Sequence, residues 1–272
     1  MSMCRMSALA ATALALCLGA APGLAAAKDK AEPKAEPPAQ APRAKASPQQ
    51  RAEVARMDPL ARAAFWAREA EIDPADAEAG VQLSRALRAM GKYDDAILAA
   101  ERARVARPAD VEALLELARG HIGRGQGFYA IEPGREAQRL APRDWRAPAL
   151  LAIAYEQASR PDEALAAHRQ ALGLAPDNPT VIGNLALYYA AHGEAAQAET
   201  LLRQAAAKPG APIAVRQNLA LVVGLQGRLD EAERIARQDL PPDMVENNLA
   251  WLRSAQATAG PSRTWEDMRA PR

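Results

Sequence analysis

Pro179-Thr180-Val181-Ile182-Gly183-Asn184-Leu185-Ala186-Leu187-Tyr188-Tyr189-Ala190-Ala191-His192-Gly193, followed by Glu194-Ala195-Ala196-Gln197-Ala198-Glu199-Thr200-Leu201-Leu202, reads as an apolar helix, a glycine turn and the start of a second helix. Steps of 34 residues in either direction bring back the same residue types. Leu stands at 83, 117, 151, 185 and 219, and a small residue follows each: Ser84, Ala118, Ala152, Ala186 and Ala220. Ala stands at 96, 130, 164, 198 and 232. The turn carries Gly91, Gly125, Ser159, Gly193 and Gly227, and Pro closes the first three copies at 108, 142 and 176. Five copies share one register without insertion, starting at 77, 111, 145, 179 and 213.

Each position has a physical reason. A left-handed residue ends the first helix (A) and lets the chain reverse. The Ala of the second helix (B) and the small residue after Leu allow the two backbones to approach to roughly 8–10 Å. Pro cannot continue helix B and stops it.

A 34-residue helix-turn-helix unit with this pattern resembles the tetratricopeptide repeat (TPR). The fold this implies is an all-α superhelix of about five repeats with flanking capping helices. Two departures stand out. The bulky aromatic of helix A is replaced by Gly80, Leu114, Pro148, Ile182 and Arg216, and Pro148 is expected to delay the start of its helix. The fourth copy has Gly210 where Pro is expected, with Pro212 two residues on.

The segments outside the repeats divide by composition. Residues 1–27 read as a secretory signal: Arg5, an apolar stretch from Ala8 to Leu18, and small residues leading to cleavage after Ala25 or Ala27. The stretch is shorter than the ~20 residues a spanning helix needs. Residues 28–50, with Pro33, Pro37, Pro38, Pro42 and Pro48, read as an extended tether. Residues 51–76 read as an N-terminal capping helix with Asp58-Pro59 as a start signal, 77–240 as the repeats, 241–256 as a C-terminal capping helix with Trp251 supplying bulk, and 257–272 as a flexible tail.

Composition narrows the chemistry. With Arg5 removed, 33 basic and 33 acidic groups remain, so no basic excess points to nucleic acid. Both cysteines, Cys4 and Cys17, fall in the signal, which leaves a mature chain without disulfide or thiolate metal sites. His121, His168 and His192 have no metal-ligand spacing. Gly120-His121-Ile122-Gly123-Arg124-Gly125-Gln126-Gly127 mimics a phosphate loop, but a helix rather than a strand precedes it and Gly125 is the repeat turn. The reading is a chain without catalytic residues, cofactor or metal.

The TPR resemblance places helix A of each copy on the inner face. Groove-facing positions are then Val81, Arg85 and Arg88, then Leu115 and Arg119, then Ala149, Ile153 and Glu156, then Asn184 and Leu187, then Gln217, Asn218 and Leu221. The candidate peptide-binding residues are Arg85, Arg88, Arg119, Glu156, Asn184, Gln217 and Asn218. The arginines suit a carboxylate on an extended peptide, and the amides suit its main chain. The structural alternative is that the arginines are solvated and the amides satisfy local backbone.

A second resemblance rests on the C-terminal stretch. It runs Arg216-Gln217-Asn218-Leu219-Ala220-Leu221, then Gly227-Arg228-Leu229-Asp230-Glu231-Ala232-Glu233, then Asp239-Leu240-Pro241-Pro242 and Asn248-Leu249-Ala250-Trp251-Leu252-Arg253, with Thr264-Trp265 in the tail. Together with export and the Pro-rich tether, this is similar to the TadD-type proteins of tight-adherence (Flp) pilus systems. The resemblance implies a non-enzymatic periplasmic assembly factor for the pilus or its secretin, whose partner is an extended peptide or helix of a pilus or secretion component. Contact with a membrane would come only through a partner or a lipidated Cys17. Members of that family are often lipoproteins, but Leu16 stands directly before Cys17 where a lipidation motif carries a small residue. Soluble periplasmic residence is therefore the expectation, and an outer-membrane lipoprotein anchored at Cys17 the alternative. A different exported TPR adaptor, for envelope or polysaccharide biogenesis, is the competing function.

Overall fold

The computed structural model describes residues 44–258. Residues 1–27, read above as a signal, most of the segment read as a tether and the tail beyond Thr258 lie outside these residues. Among the described residues the chain is all helix and turn. Helices α3 (Ala77–Ala89) and α4 (Tyr93–Ala106) form the first repeat, α5 (Val111–Gly123) and α6 (Gly127–Leu140) the second, and α7 (Arg146–Gln157) and α8 (Pro161–Leu174) the third. Then come α9 (Pro179–Ala191) and α10 (Ala195–Ala206), α11 (Ile213–Leu225) and α12 (Leu229–Ala236), and a last helix α13 (Pro242–Thr258).

The local chemistry accounts for these boundaries. Asp76, Asp110 and Asn178 cap helices α3, α5 and α9 by accepting from first-turn N–H groups. All five turn positions are left-handed: Gly91, Gly125, Gly193 and Gly227 have φ between 72° and 90°, and Ser159 has φ 56°. Helices α4, α6 and α8 each stop two residues before Pro108, Pro142 and Pro176. The delay expected at Pro148 is a single residue, because Pro148 falls in the first turn of α7, where its missing N–H has no helical partner to lose.

The repeat ladder is the core. Ala96, Ala130, Ala164, Ala198 and Ala232 are all sealed from solvent, as are Ser84, Ala118, Ala152 and Ala186 opposite them. Gly80, Leu114, Pro148 and Ile182, in place of the bulky aromatic, are also buried. A Cβ on Gly80 would stand 2.9 Å from the Ala103 Cβ and 3.1 Å from the Ala99 carbonyl, so close backbone approach replaces aromatic bulk there. Arg216 instead makes a bidentate pair with Asp239, tying the start of α11 to the end of its repeat.

The N-terminal end corrects the single capping helix expected over 51–76. It is two helices, α1 (Pro48–Val54) and α2 (Pro59–Ile72), broken at residues 55–58. In repeat register α2 is a helix B and α1 the second half of a helix A, so the cap is a truncated repeat. Residues 44–50, read as tether, are part of it. Ser47 and Gln50 form a capping box with Pro48 at the first helical position. Arg51 then pairs with Glu69 at 2.8 Å and Asp76 at 2.6 Å, with its guanidinium over the Trp66 ring. The buried Glu69 also accepts from the Ala46 N–H.

At the other end, α13 packs on both α11 and α12. Val245, Leu249 and Leu252 are its buried residues, while Trp251 is 45% exposed. Trp251 is therefore not the packing bulk of the cap. Gln256 donates to the Gly224 carbonyl at 2.6 Å and fixes the end of α13 on α11.

Candidate peptide-binding groove

Successive A helices touch one another, α3 with α5, α5 with α7 and α9 with α11, whereas the B helices pack on the A helices beside them. The A helices thus form the inner wall of the repeats. Val81, Leu115 and Ala149 do not face the groove as expected. They are at most 6% exposed and pack between adjacent repeats. The half-buried line of helix A is one position later, Gln82, Leu150, Asn184 and Asn218, with Arg85, Arg119, Ile153, Leu187 and Leu221 beside it, while Glu116 in the same register is buried.

The first two repeats bring Arg85, Arg88 and Arg119 together, but around a carboxylate of the chain itself. Glu116, 1% exposed, accepts from Arg85 Nε at 3.1 Å, Arg88 Nε at 3.2 Å and Arg119 Nη1 at 2.6 Å. Arg85 also pairs with Glu112, which Arg146 reaches at 2.7 Å, and Arg146 pairs with Asp144 at 2.6 Å. Burial opposes ionisation of Glu112, but the Arg146 hydrogen bond and the charges of Arg146, Arg85 and Arg119 hold its carboxyl below the ordinary range. Asp144 is held low chiefly by its hydrogen bond to Arg146. The wall here is a satisfied ionic network in which the arginines already have anions. The expectation of three guanidinium groups open to an acidic ligand is corrected accordingly. The signal was present: Glu112 and Glu116 are four apart, one turn on the same helix face, and Glu116 lies three before Arg119.

Glu156 is engaged within its own repeat. Its carboxylate lies 2.6 Å from Nε2 of His168, which is 2% exposed, and the His168 ring packs against Tyr188 at 5.4 Å. Tyr188 donates to the Pro161 carbonyl and stacks on His192 at 4.0 Å. Glu156 thus serves the seam between the third and fourth repeats rather than the groove. Among the described residues no group of His, Cys, Asp and Glu is arranged to hold a metal, and no helix is long and apolar enough to cross a membrane.

The last repeats are different. Asn184, Gln217 and Asn218 are half-buried and make no hydrogen bond within the chain. Gln217 and Asn218 stand at the rim of a pocket of about 230 Å³ between α11, α12 and α13. Leu221, Leu240, Val245, Leu249 and Leu252 give it apolar walls, and Asn248 and Trp251 complete the rim. Sequence reading did not place Asn248 or Trp251 in a site. The repeated Asn-Leu-Ala at 184, 218 and 248 was the available signal for Asn248. Chemically, the arrangement offers an apolar socket for a side chain, an exposed indole, and amides that both donate and accept for a main chain.

Comparison with known proteins agrees with this architecture. A tetratricopeptide-repeat family profile matches residues 155–220. No curated protein sequence matches the chain. Among solved structures, a thermophilic TPR protein from Thermus thermophilus is 29% identical, with 66% of this chain and 99% of that chain covered and a TM-score of 0.58. A TPR protein from Parabacteroides merdae is 11% identical over 75% of this chain and 80% of its own, with a TM-score of 0.62. MamA from Desulfovibrio magneticus is 21% identical over 58% and 88%, with a TM-score of 0.50. The fold is a TPR superhelix, and the tetratricopeptide-repeat match in sequence spans residues 155–220.

Proposed function

We propose that this chain is an exported, non-enzymatic adaptor that holds a segment of a partner protein in the groove of its last repeats. On this reading it serves as an assembly factor for a tight-adherence (Flp/Tad) pilus or its secretin, resident in the periplasm. The observation that carries the binding role is the apolar pocket walled by Leu221, Leu249 and Leu252 and rimmed by the unpaired amides Gln217, Asn218 and Asn248. Gln217 and Asn218, half-buried and without partners, and the exposed Asn248 beside them are poised to take a peptide main chain, which supplies one donor and one acceptor per residue. Apolar side chains of the segment would fill the socket. The arginine network of the first repeats, already neutralised, stiffens the wall instead of supplying the anion site.

The pilus assignment is supported by the C-terminal stretch from Arg216 to Arg253, which forms this pocket, and export by the N-terminal segment ending near Ala27. Co-purification from the cells that make the protein tests the proposal. Wild type is expected to retain a pilus or secretin component that Leu221→Asp and Asn218→Asp lose, with helicity unchanged. Intact-mass analysis of the mature chain tests export. Retention of the same partner by both pocket variants refutes the binding site, an envelope or polysaccharide component in its place refutes the pilus assignment, and an intact Met1 refutes export.

A further inference from the structure

The outer face of the second repeat departs from the other copies. The second and third positions of helix B are acidic in α4 (Asp94, Asp95), α8 (Asp162, Glu163) and α12 (Asp230, Glu231), where carboxylates favour the positive helix N-terminus, and small or polar in α10 (Ala196, Gln197). In α6 they are Phe128 and Tyr129. These residues are 70% and 60% exposed, and neither belongs to a buried apolar cluster. The copy thus forgoes a favourable charge and leaves two rings in water, a combination that marks interaction surfaces.

The surroundings say what would cover the rings. Tyr129 stacks on His121 and, with it, Leu114 and Leu117, lines a groove of about 320 Å³ whose carboxylates are Glu101, Glu132 and Glu136, against one lining guanidinium, Arg104. Glu101 is paired with Arg104 and Glu136 with Arg139. Glu132, one turn beyond Phe128 and Tyr129, makes no ion pair. Pro133 inside α6 has no N–H, so the Tyr129 carbonyl loses its helical donor on the same stretch. Glu101 also lines a neighbouring, mostly apolar groove where α4 exposes Leu98 (57%) and Val105 (74%), seven residues apart and so on one helix face.

An exposed edge-to-face pair of rings, an unpaired carboxylate and a carbonyl short of a donor together fit a guanidinium. We propose that the outer face of α4 and α6 is a second docking surface, and that its occupant is a protein segment presenting an arginine beside apolar side chains. The guanidinium packs against the edge-to-face pair of Phe128 and Tyr129 and donates to Glu132. The apolar neighbours cover Leu98 and Val105. The acidic rim argues against an anionic lipid surface. This surface shares no residue with the groove of the last repeats.

The test is a titration of the full chain with the blocked peptide acetyl-Leu-Arg-Leu-Arg-Leu-amide, read by aromatic ring NMR and calorimetry. A matched Leu-Glu peptide and phosphatidylglycerol vesicles are run beside it. The arginine peptide is expected to shift the Phe128 and Tyr129 ring signals. Phe128→Ala/Tyr129→Ala, at exposed positions, is expected to weaken it about tenfold, and Glu132→Gln about threefold. Any of three results overturns the proposal: no binding at millimolar arginine peptide, equal binding of the Leu-Glu peptide, or unchanged affinity in the ring variant. Vesicle binding through Phe128 and Tyr129 without a peptide response does so as well.

Discussion

Reversing the charge of Arg119 tests the ionic wall. Arg119 Nη1 lies 2.6 Å from a carboxylate oxygen of Glu116, and that carboxylate is 1% exposed while Arg119 is 22% exposed. At an effective dielectric of ~20 and a charge separation of ~4 Å, one such pair is worth ~4 kcal/mol. Arg119→Glu removes that attraction and sets a like charge against a carboxylate that cannot reach water. Arg85 and Arg88 remain and offset part of the repulsion, so the net loss is expected at about 3–5 kcal/mol, the range for breaking a buried ion pair. Urea unfolding followed by circular dichroism reads it. The control is Arg102→Glu on an exposed outer position of α4, which should stay within about 0.5 kcal/mol of wild type. A second arm adds Glu116→Gln to Arg119→Glu, which should recover much of the loss because the repulsion disappears. Wild-type stability of Arg119→Glu alone would refute the argument and return these arginines to the open groove.

Two positions where one copy departs from the others should be improvable. Ser84→Ala removes a sealed hydroxyl without a hydrogen-bond partner and should raise stability by about 1 kcal/mol, while Ser159→Gly relieves a left-handed residue for about 0.5–1 kcal/mol; an unchanged or lowered Tm counts against either. Ala198→Leu should overpack the crossing within the fourth repeat and cost about 1–3 kcal/mol, with exposed Gln197→Leu as a near-neutral control, and equal melting of the two would break the register. Glu199 is unsuited as that control. Hydrogen bonds from Arg228, and then from Arg203 and Gln226, outweigh partial burial and hold its carboxyl down to about 2. Its folded value is depressed, so its stabilisation is complete above about pH 4.5 and is lost as pH falls towards 2. Glu199→Gln should therefore cost about 1 kcal/mol at neutral pH after solvent screening and flatten the acid limb of the stability curve; an acid limb identical to wild type would discard the assignment.

The repeats were legible because their constraints are local and recur. Gly91, Gly125, Gly193 and Gly227 need a left-handed backbone, Ala198 and its counterparts need a close crossing, and both demands return every 34 residues. The break between α1 and α2 was hidden because Arg51 to Ile72 has a continuous helical composition. Only the Ser47–Gln50 capping box and Asp58-Pro59 mark two starts instead of one. The site was legible in part. Helical spacing put Arg85, Arg88 and Arg119 on one wall, but spacing within a helix does not say which carboxylate of the neighbouring helix meets them. Glu116 answers that only through the packing of α3 on α5, 28 to 31 residues apart in sequence. Trp251 misled for a related reason: bulk suggests a cap, yet α13 buries Val245, Leu249 and Leu252 and turns the indole to the pocket rim.

Site-specific photo-crosslinking tests the groove most directly. A benzoylphenylalanine placed at Asn218, at the rim of the pocket, and another at Arg102, exposed on the outer face of α4, are irradiated in the cells that make the protein. The account predicts that Asn218 yields a discrete adduct whose cross-linked peptide comes from one pilus or secretin component, while Arg102 does not yield that adduct. The same peptide captured from Arg102, with nothing at Asn218, would contradict it.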